Sequence, residues 1–220
     1  LAWQKQLDKI NVKCGTPDQR VIFYTALYHT AFSPYLFSDA DGRYRGVDQK
    51  IHTATDEPVY TVFSLWDTFR AFHPLLTITD PERNAAFIRT LLTHYDQSGV
   101  LPKWELAGSE TGTMIGYHAV PVIVDAYAKG RRDFDVEKAY RAVIGSAHYN
   151  PDVAPQASEA VRALVVPTAK KFNDELGFIP SDQENESVSQ ALEFAYDDWC
   201  IAQFAAALNK TDDAKKYLER

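Results

Sequence analysis

The sequence holds only two cysteines, Cys14 and Cys200, in 220 residues. Two are too few for a disulfide framework, and their separation excludes a CxxC motif, so neither fixes a redox compartment nor points to a metal site. Both read as buried thiols. No apolar run reaches the ~20 residues that a membrane-spanning helix needs. The opening LAWQKQLDKI lacks the charged and apolar regions of a signal peptide. Clustered lysine and arginine are missing as well: 23 basic against 30 acidic residues leave a net charge of -7, which argues against nucleic acid or an anionic membrane as the main partner. No internal repeat of about 20 to 50 residues is visible, which tells against a simple solenoid. The first residues look like mid-domain sequence and KKYLER stops within a helical pattern. The expectation is a piece of a longer protein.

What is present is a large apolar and aromatic content, 45% and 13%, enough for a substantial core. The chain reads as helices joined by polar loops. The first segment, Ala2 to about Ile10, is amphipathic. Thr16, Pro17 and Gln19 then form a capping box before an apolar stripe of Val21, Ile22, Leu27 and Tyr28, in a helix ended by Ser33-Pro34. From Tyr35 to Val62 turn residues and strand formers alternate, predicting one small hairpin inserted between helices. Its Asp39-Ala40-Asp41-Gly42 lacks the remaining ligands of a calcium loop and reads as a plain turn. Further helices are expected from Pro81 to Gly99, from Thr113 to Lys129 with Pro121 as a kink or fresh start, from Asp135 to Ala147, over EAVRALVV, from Glu186 to about Leu208, and after a Thr211 cap. About eight helices in serial hairpins suit an α/α toroid, with ligand residues on the loops at one end. The predicted class is mainly all-α: an incomplete (α/α)6 toroid with a β-hairpin insertion.

Two stretches carry chemistry. LPKWELAGSETGTMIGYHAVP, from Leu101 to Pro121, offers the flat face of Trp104, the carboxylates of Glu105 and Glu110, and Gly108 and Gly112 where the backbone turns. Such a surface suits a sugar ring, apolar on one face and rimmed with hydroxyls; the plain alternative is a loop whose Trp plugs the core. In FSLWDTFRAFHP, Ser64 is a candidate cap, Trp66 a stacking platform and Asp67 a hydroxyl acceptor, with Arg70 one turn on and able to pair with Asp67. On the long helix from Glu186 to about Leu208, Glu193 and Asp197 stand on one face at i and i+4. That like-charge pair is unfavourable unless a cation or hydroxyl lies between them.

YTVFSLWDTFRAFHPLL, LPKWELAGSETGTMIGYHAVPVIVDAY and ESVSQALEFAYDDWCIAQ resemble, in order, motifs of glycoside hydrolase family 92, the calcium-dependent exo-acting α-mannosidases. FSDADGRYRGVDQKIH is similar to that family too. The resemblance implies an (α/α)6 catalytic domain working beside a β-sandwich domain, inverting release of terminal α-mannose, and a Ca2+ at the cleavage subsite. The family's motifs TEGNxWQY, HGNEP and GNEDxGQ, which carry the acid, the calcium side-chain ligands and the base, do not occur here. The chain is therefore expected to be the N-terminal part of the barrel, residues 1–220, with no second domain, no catalytic acid or base, and no metal side chain of its own. It is expected to be inactive alone. The implied sugar contacts are Trp66 and Asp67, with Trp104, Glu105 and Glu110 lining the pocket and His118 and Asp198 beside it. The implied partners are a mannose-containing glycan (N-glycan or mannan) and the rest of the same enzyme, in a periplasmic or extracellular setting. The alternative is a non-catalytic glycan-binding or scaffold fragment.

Overall fold

The computed structural model describes residues 2–55 and 57–220. The chain opens with α1 (Ala2–Leu7), shorter than expected, and α2 (Pro17–His29). The capping box forms: Thr16 Oγ1 accepts from the Gln19 N–H at 3.2 Å, and the Gln19 side chain accepts from the Thr16 N–H at 2.9 Å. The apolar stripe of α2, however, faces outward. Val21 and Ile22 are exposed and only Leu27 is buried, because no described element covers that side. Cys14 is likewise exposed, against expectation, while Cys200 is buried.

The described residues of 35–110 form three small sheets, two of them starting within the Tyr35–Val62 stretch where one hairpin was expected. β1 (Tyr35–Leu36) pairs with β4 (Tyr60–Thr61), and β2 (Arg43–Arg45) pairs with β3 (Ile51–Thr53) as the predicted hairpin. β5 (Phe63–Ser64) pairs with β6 (Trp104–Leu106), which turns back into β7 (Ser109–Glu110). The Asp39–Gly42 segment is the plain turn expected, closed by the Gly42 N–H on the Asp39 carbonyl at 2.9 Å.

The remaining helices are α3 (Leu65–Thr68), α4 (Phe72–Thr79), α5 (Pro81–Ser98), α6 (Ala119–Ala128), α7 (Val136–Ala147), α8 (Glu159–Val165), α9 (Thr168–Leu176), α10 (Ser187–Ala207) and α11 (Thr211–Glu219). α5 stops where the sequence says, with Gly99 left-handed at φ 79°. α6 begins at Ala119, so Pro121 sits in the first turn, where its missing N–H costs nothing. Thr211 is the first residue of α11, and its side chain does not cap it.

α6 and α10 form the centre. α10 packs against α6, α7, α9 and α11, and α6 packs against α4, α5 and α7. Ala119, Ile123 and Ala126 of α6 and Ile201, Phe204 and Ala205 of α10 are fully enclosed, with Phe87 and Leu91 of α5 behind them. Tyr127 and Tyr140 pack on Phe204 at 4.8 and 5.7 Å between ring centres. The other side of α10 is different: Val188, Leu192, Tyr196 and Trp199, about one turn apart, stay exposed. Among the described residues no helix is long and apolar enough to cross a membrane.

Candidate functional site

The β6–β7 turn is the anchor. Ala107 and Gly108, its two central residues, both have positive φ (49° and 73°), the geometry that matches strand twist in a two-residue hairpin. A side chain at Gly108 would come within 2.5 Å of the Arg45 carbonyl, so glycine is required. The turn is held from inside by Glu105. Its carboxylate accepts from the Gly108 N–H (2.6 Å), the Val62 N–H (3.1 Å) and the Thr61 hydroxyl (2.9 Å), and the same hydroxyl accepts from the Ala107 N–H (2.7 Å). Glu105 is wholly buried, and burial pushes its carboxyl up to about 7 against the donors that favour the charged form. Its chemistry is spent on backbone.

Glu110 does similar work at the rim. Its two oxygens accept from the N–H groups of Lys103 (2.8 Å), Trp104 (2.9 Å) and Gly112 (2.7 Å). The carboxylate also borders a cavity of about 280 Å3 beside Val47, His94, Val100 and Val161. Gly112 is needed as well, since a Cβ there would lie 2.5 Å from the Leu164 Cβ.

Through Val62 the Glu105 clamp sets the direction of the second stretch. Val62 is a β-branched residue at φ 69°, a strained conformation fixed by its bond to Glu105. From this corner β5 leads into α3, with Ser64 opposite Trp104 in the sheet. The Ser64 hydroxyl donates to the Asp67 carboxylate and does not cap the helix backbone. Asp67 is exposed; Trp66 and Trp104 are half-buried. The expected Asp67–Arg70 pair does not form, because Arg70 turns the other way to Glu193 at 3.2 Å.

Glu193 gathers three groups. Its Oε1 accepts from the Trp66 indole N–H (3.3 Å) and from Arg70 (3.2 Å). Its Oε2 lies 3.0 Å from His118 Nε2, close enough for an ion pair but not aligned as a hydrogen bond. On the other side of the ring His118 Nδ1 meets Asp197 at 2.8 Å, and Asp197 also accepts from the Tyr117 N–H at 2.8 Å. The imidazole thus stands between the two acids that the sequence placed one turn apart. Phe69 stacks on it, ring centres 4.1 Å apart and 15° from parallel, with the Arg70 guanidinium 4.7 Å from the Phe69 ring centre. Burial raises the Asp197 carboxyl, opposed by its bond and charge interaction with His118. Arg70, Glu193 and Phe69 border an open groove of about 670 Å3 that runs along Leu192 and Tyr196.

Asp198 lies elsewhere. One helical position on, it points inward to the Tyr117 hydroxyl (2.6 Å) and Arg220 (3.5 Å), is buried, and is raised by that burial. Nearby Lys170 is enclosed, bonded to the Ser146 carbonyl and 4.7 Å from the Tyr117 ring centre, and burial lowers its ammonium to about 7. Of the seven residues singled out from sequence, the structure links Trp66 to His118 through Glu193 and sets Asp67 next to Trp66. Trp104 and Glu110 join them through the sheet. Glu105 is closed off behind it, and Asp198 faces the core. Arg70 and Phe69 were missed as a unit, although the Phe-Arg pair one residue beyond Trp66-Asp67 is the local signal that points to them. Among the described residues no three His, Cys, Asp or Glu side chains could together hold a metal ion. Glu105 and Glu110 are committed to backbone and Glu193 to Trp66 and Arg70, which leaves Asp67, bonded to the Ser64 hydroxyl, as the one exposed acid beside Trp66 among the described residues; one such carboxylate does not make a calcium site on its own.

The mainly helical scaffold thus gathers aromatic and acidic side chains at the corner between β5 and α3. The sequence profile of the glycosyl hydrolase family 92 catalytic domain matches residues 1–220, and the chain belongs to that family. Among solved structures it is similar to the GH92 alpha-mannosidase BT3965 from Bacteroides thetaiotaomicron, with 42% identity and a TM-score of 0.84 over 98% of this chain. That protein has also been solved in complex with mannoimidazole. The GH92 inverting mannosidase BT2199 from the same organism matches at 35% identity and TM-score 0.84 over 99% of the chain. The chain spans 27% and 28% of these two structures. No curated protein sequence matches it.

Proposed function

We propose that this chain forms part of the barrel of an exo-acting α-mannosidase that releases terminal α-linked mannose from glycans. The supporting observation is the corner at Ser64–Asp67. An exposed carboxylate and a half-buried indole are presented side by side, on a chain 42% identical to an alpha-mannosidase. In this reading Trp66 stacks on the apolar face of the mannose ring and Asp67 accepts from its hydroxyls, while Trp104 and Glu110 shape the adjoining wall. Glu105 becomes a support rather than a sugar contact, and Asp198 and His118 act from behind the pocket.

Inverting hydrolysis needs one carboxylic acid to protonate the leaving oxygen and one carboxylate to activate water from the opposite face. Glu105 and Glu110 are bound to backbone N–H groups on one hairpin and are unsuited to those tasks. We therefore assign acid, base and calcium side chains to parts of the enzyme outside residues 1–220, take this chain as a portion of a single domain, and infer a periplasmic or extracellular setting. The test is mannose release from an α-mannoside by the intact enzyme, with and without a calcium chelator. Release that the chelator abolishes is the expected result. An intact enzyme that binds mannosides and hydrolyses none would favour a glycan-binding role instead.

A further inference from the structure

We propose that Glu193 is the positioning residue of the sugar pocket: its carboxylate, backed by the His118 ring that Asp197 holds, fixes the plane of the Trp66 indole. This rests on the reading of Trp66 as the mannose platform. The indole N–H and the Arg70 guanidinium share one oxygen of Glu193, at 3.3 and 3.2 Å, while the other oxygen sits 3.0 Å from His118. His118 has little freedom, being stacked on Phe69 and bonded at 2.8 Å to Asp197, which is itself fixed by the Tyr117 N–H. Glu193 is thus bonded at one oxygen to two side chains of residues 66–70 and backed at the other by His118, which α10 itself fixes through Asp197.

That arrangement has a functional meaning. A tryptophan that stacks on a sugar must present one face at a set angle, and α3, only four residues long and without a side-chain cap, supplies little rigidity of its own. A bond from the indole N–H to a carboxylate supplies that angle without using a ring face; Arg70 lies over one face at 6.0 Å from the ring centre, which leaves the other for a sugar. The pairing spans 127 residues, so it ties the sugar-binding corner to the central helix α10. It also accounts for two acids placed one turn apart on that helix, since each takes one side of the same imidazole.

The test is a double-mutant cycle in the intact enzyme, read as KM and kcat for an α-mannoside. Glu193→Ala and Trp66→Phe, which keeps a ring but removes the N–H, should each raise KM about tenfold with kcat within about twofold. The double variant should be no worse than either single one. Glu193→Gln keeps an oxygen for the indole and should retain most of the wild-type KM; it also carries the test if the alanine variant fails to fold. Multiplying effects of Glu193→Ala and Trp66→Phe, or an unchanged KM in Glu193→Ala, would overturn the proposal while leaving the pocket in place. A KM unchanged in Trp66→Ala would instead remove the pocket assignment itself, and the positioning role with it.

Discussion

Glu105 and Glu110 on the β6–β7 hairpin, and Glu193 and Asp197 on α10, are two acid pairs put to different uses. The hairpin pair accepts from the N–H groups of Val62, Lys103, Trp104, Gly108 and Gly112, so it shapes chain. The helix pair accepts from or faces Trp66, Arg70 and His118 and takes one backbone N–H, that of Tyr117, so it mainly orients side chains. The difference follows from secondary structure. A short hairpin leaves N–H groups that a nearby acid can satisfy, whereas in the middle of α10 they are already bonded within the helix and the acids must look outward. Chemical identity alone does not tell a scaffold acid from a site acid.

The sharpest way to break that comparison is to remove Glu105. Glu105→Ala strands buried donors at Val62, Gly108 and Thr61 and releases a left-handed valine, so it should cost roughly 3 to 5 kcal/mol of unfolding free energy. Denaturant unfolding of the intact enzyme measures this, and a loss below about 1 kcal/mol would mean the clamp is dispensable.

A second test uses pH. Burial holds His73 and His94 down at about 4, below their ordinary 6.5. The unfolded chain therefore takes up these protons first. Their contribution is complete above pH 6.5 and drains away as pH falls towards 4, by about 3 kcal/mol for each. Glu105 runs the opposite way, its raised carboxyl making stability decline as pH climbs from 4.5 through 7. Subtracting the profile of His94→Leu from that of the wild type isolates one histidine. The difference should be flat above pH 6.5 and move in favour of the variant below it; parallel profiles would contradict the assignment. The smallest stability effect is expected at Glu193→Gln, near 0.5 kcal/mol, because its partner Arg70 is exposed. A loss as large as that of Glu105→Ala would erase the distinction between the two pairs.

Much of the helical frame was legible. Pro81 and Gly99 bracket α5, Asp135 caps α7 by accepting from the Lys138 N–H at 2.8 Å, and the family motifs span most of the chain. α9 escaped notice because TAKKFNDEL carries few apolar residues and buries Lys170, although Pro167 before it and Gly177 after it mark both ends. Val21 and Ile22 read as core because periodicity identifies a face without saying what covers it. Within the site, Trp66 and Asp67 could be picked out locally, and the i,i+4 acids of α10 announced a missing partner. That the partner is His118, more than 70 residues earlier, is a property of the packing of α6 on α10 and has no local signature. Glu105 misled for the same reason: a carboxylate beside a tryptophan looks the same in sequence whether it meets a ligand or the amide of Gly108.

The most direct measurement of the central claim is the affinity of the intact enzyme for mannoimidazole, a ligand of its 42% identical relative, compared between the wild type and Asp67→Ala. If residues 64–67 are the mannose-contacting corner, the substitution weakens binding at least about tenfold while the unfolding midpoint stays in place, as befits an exposed side chain. Affinity unchanged within about twofold would contradict the account and put the sugar elsewhere.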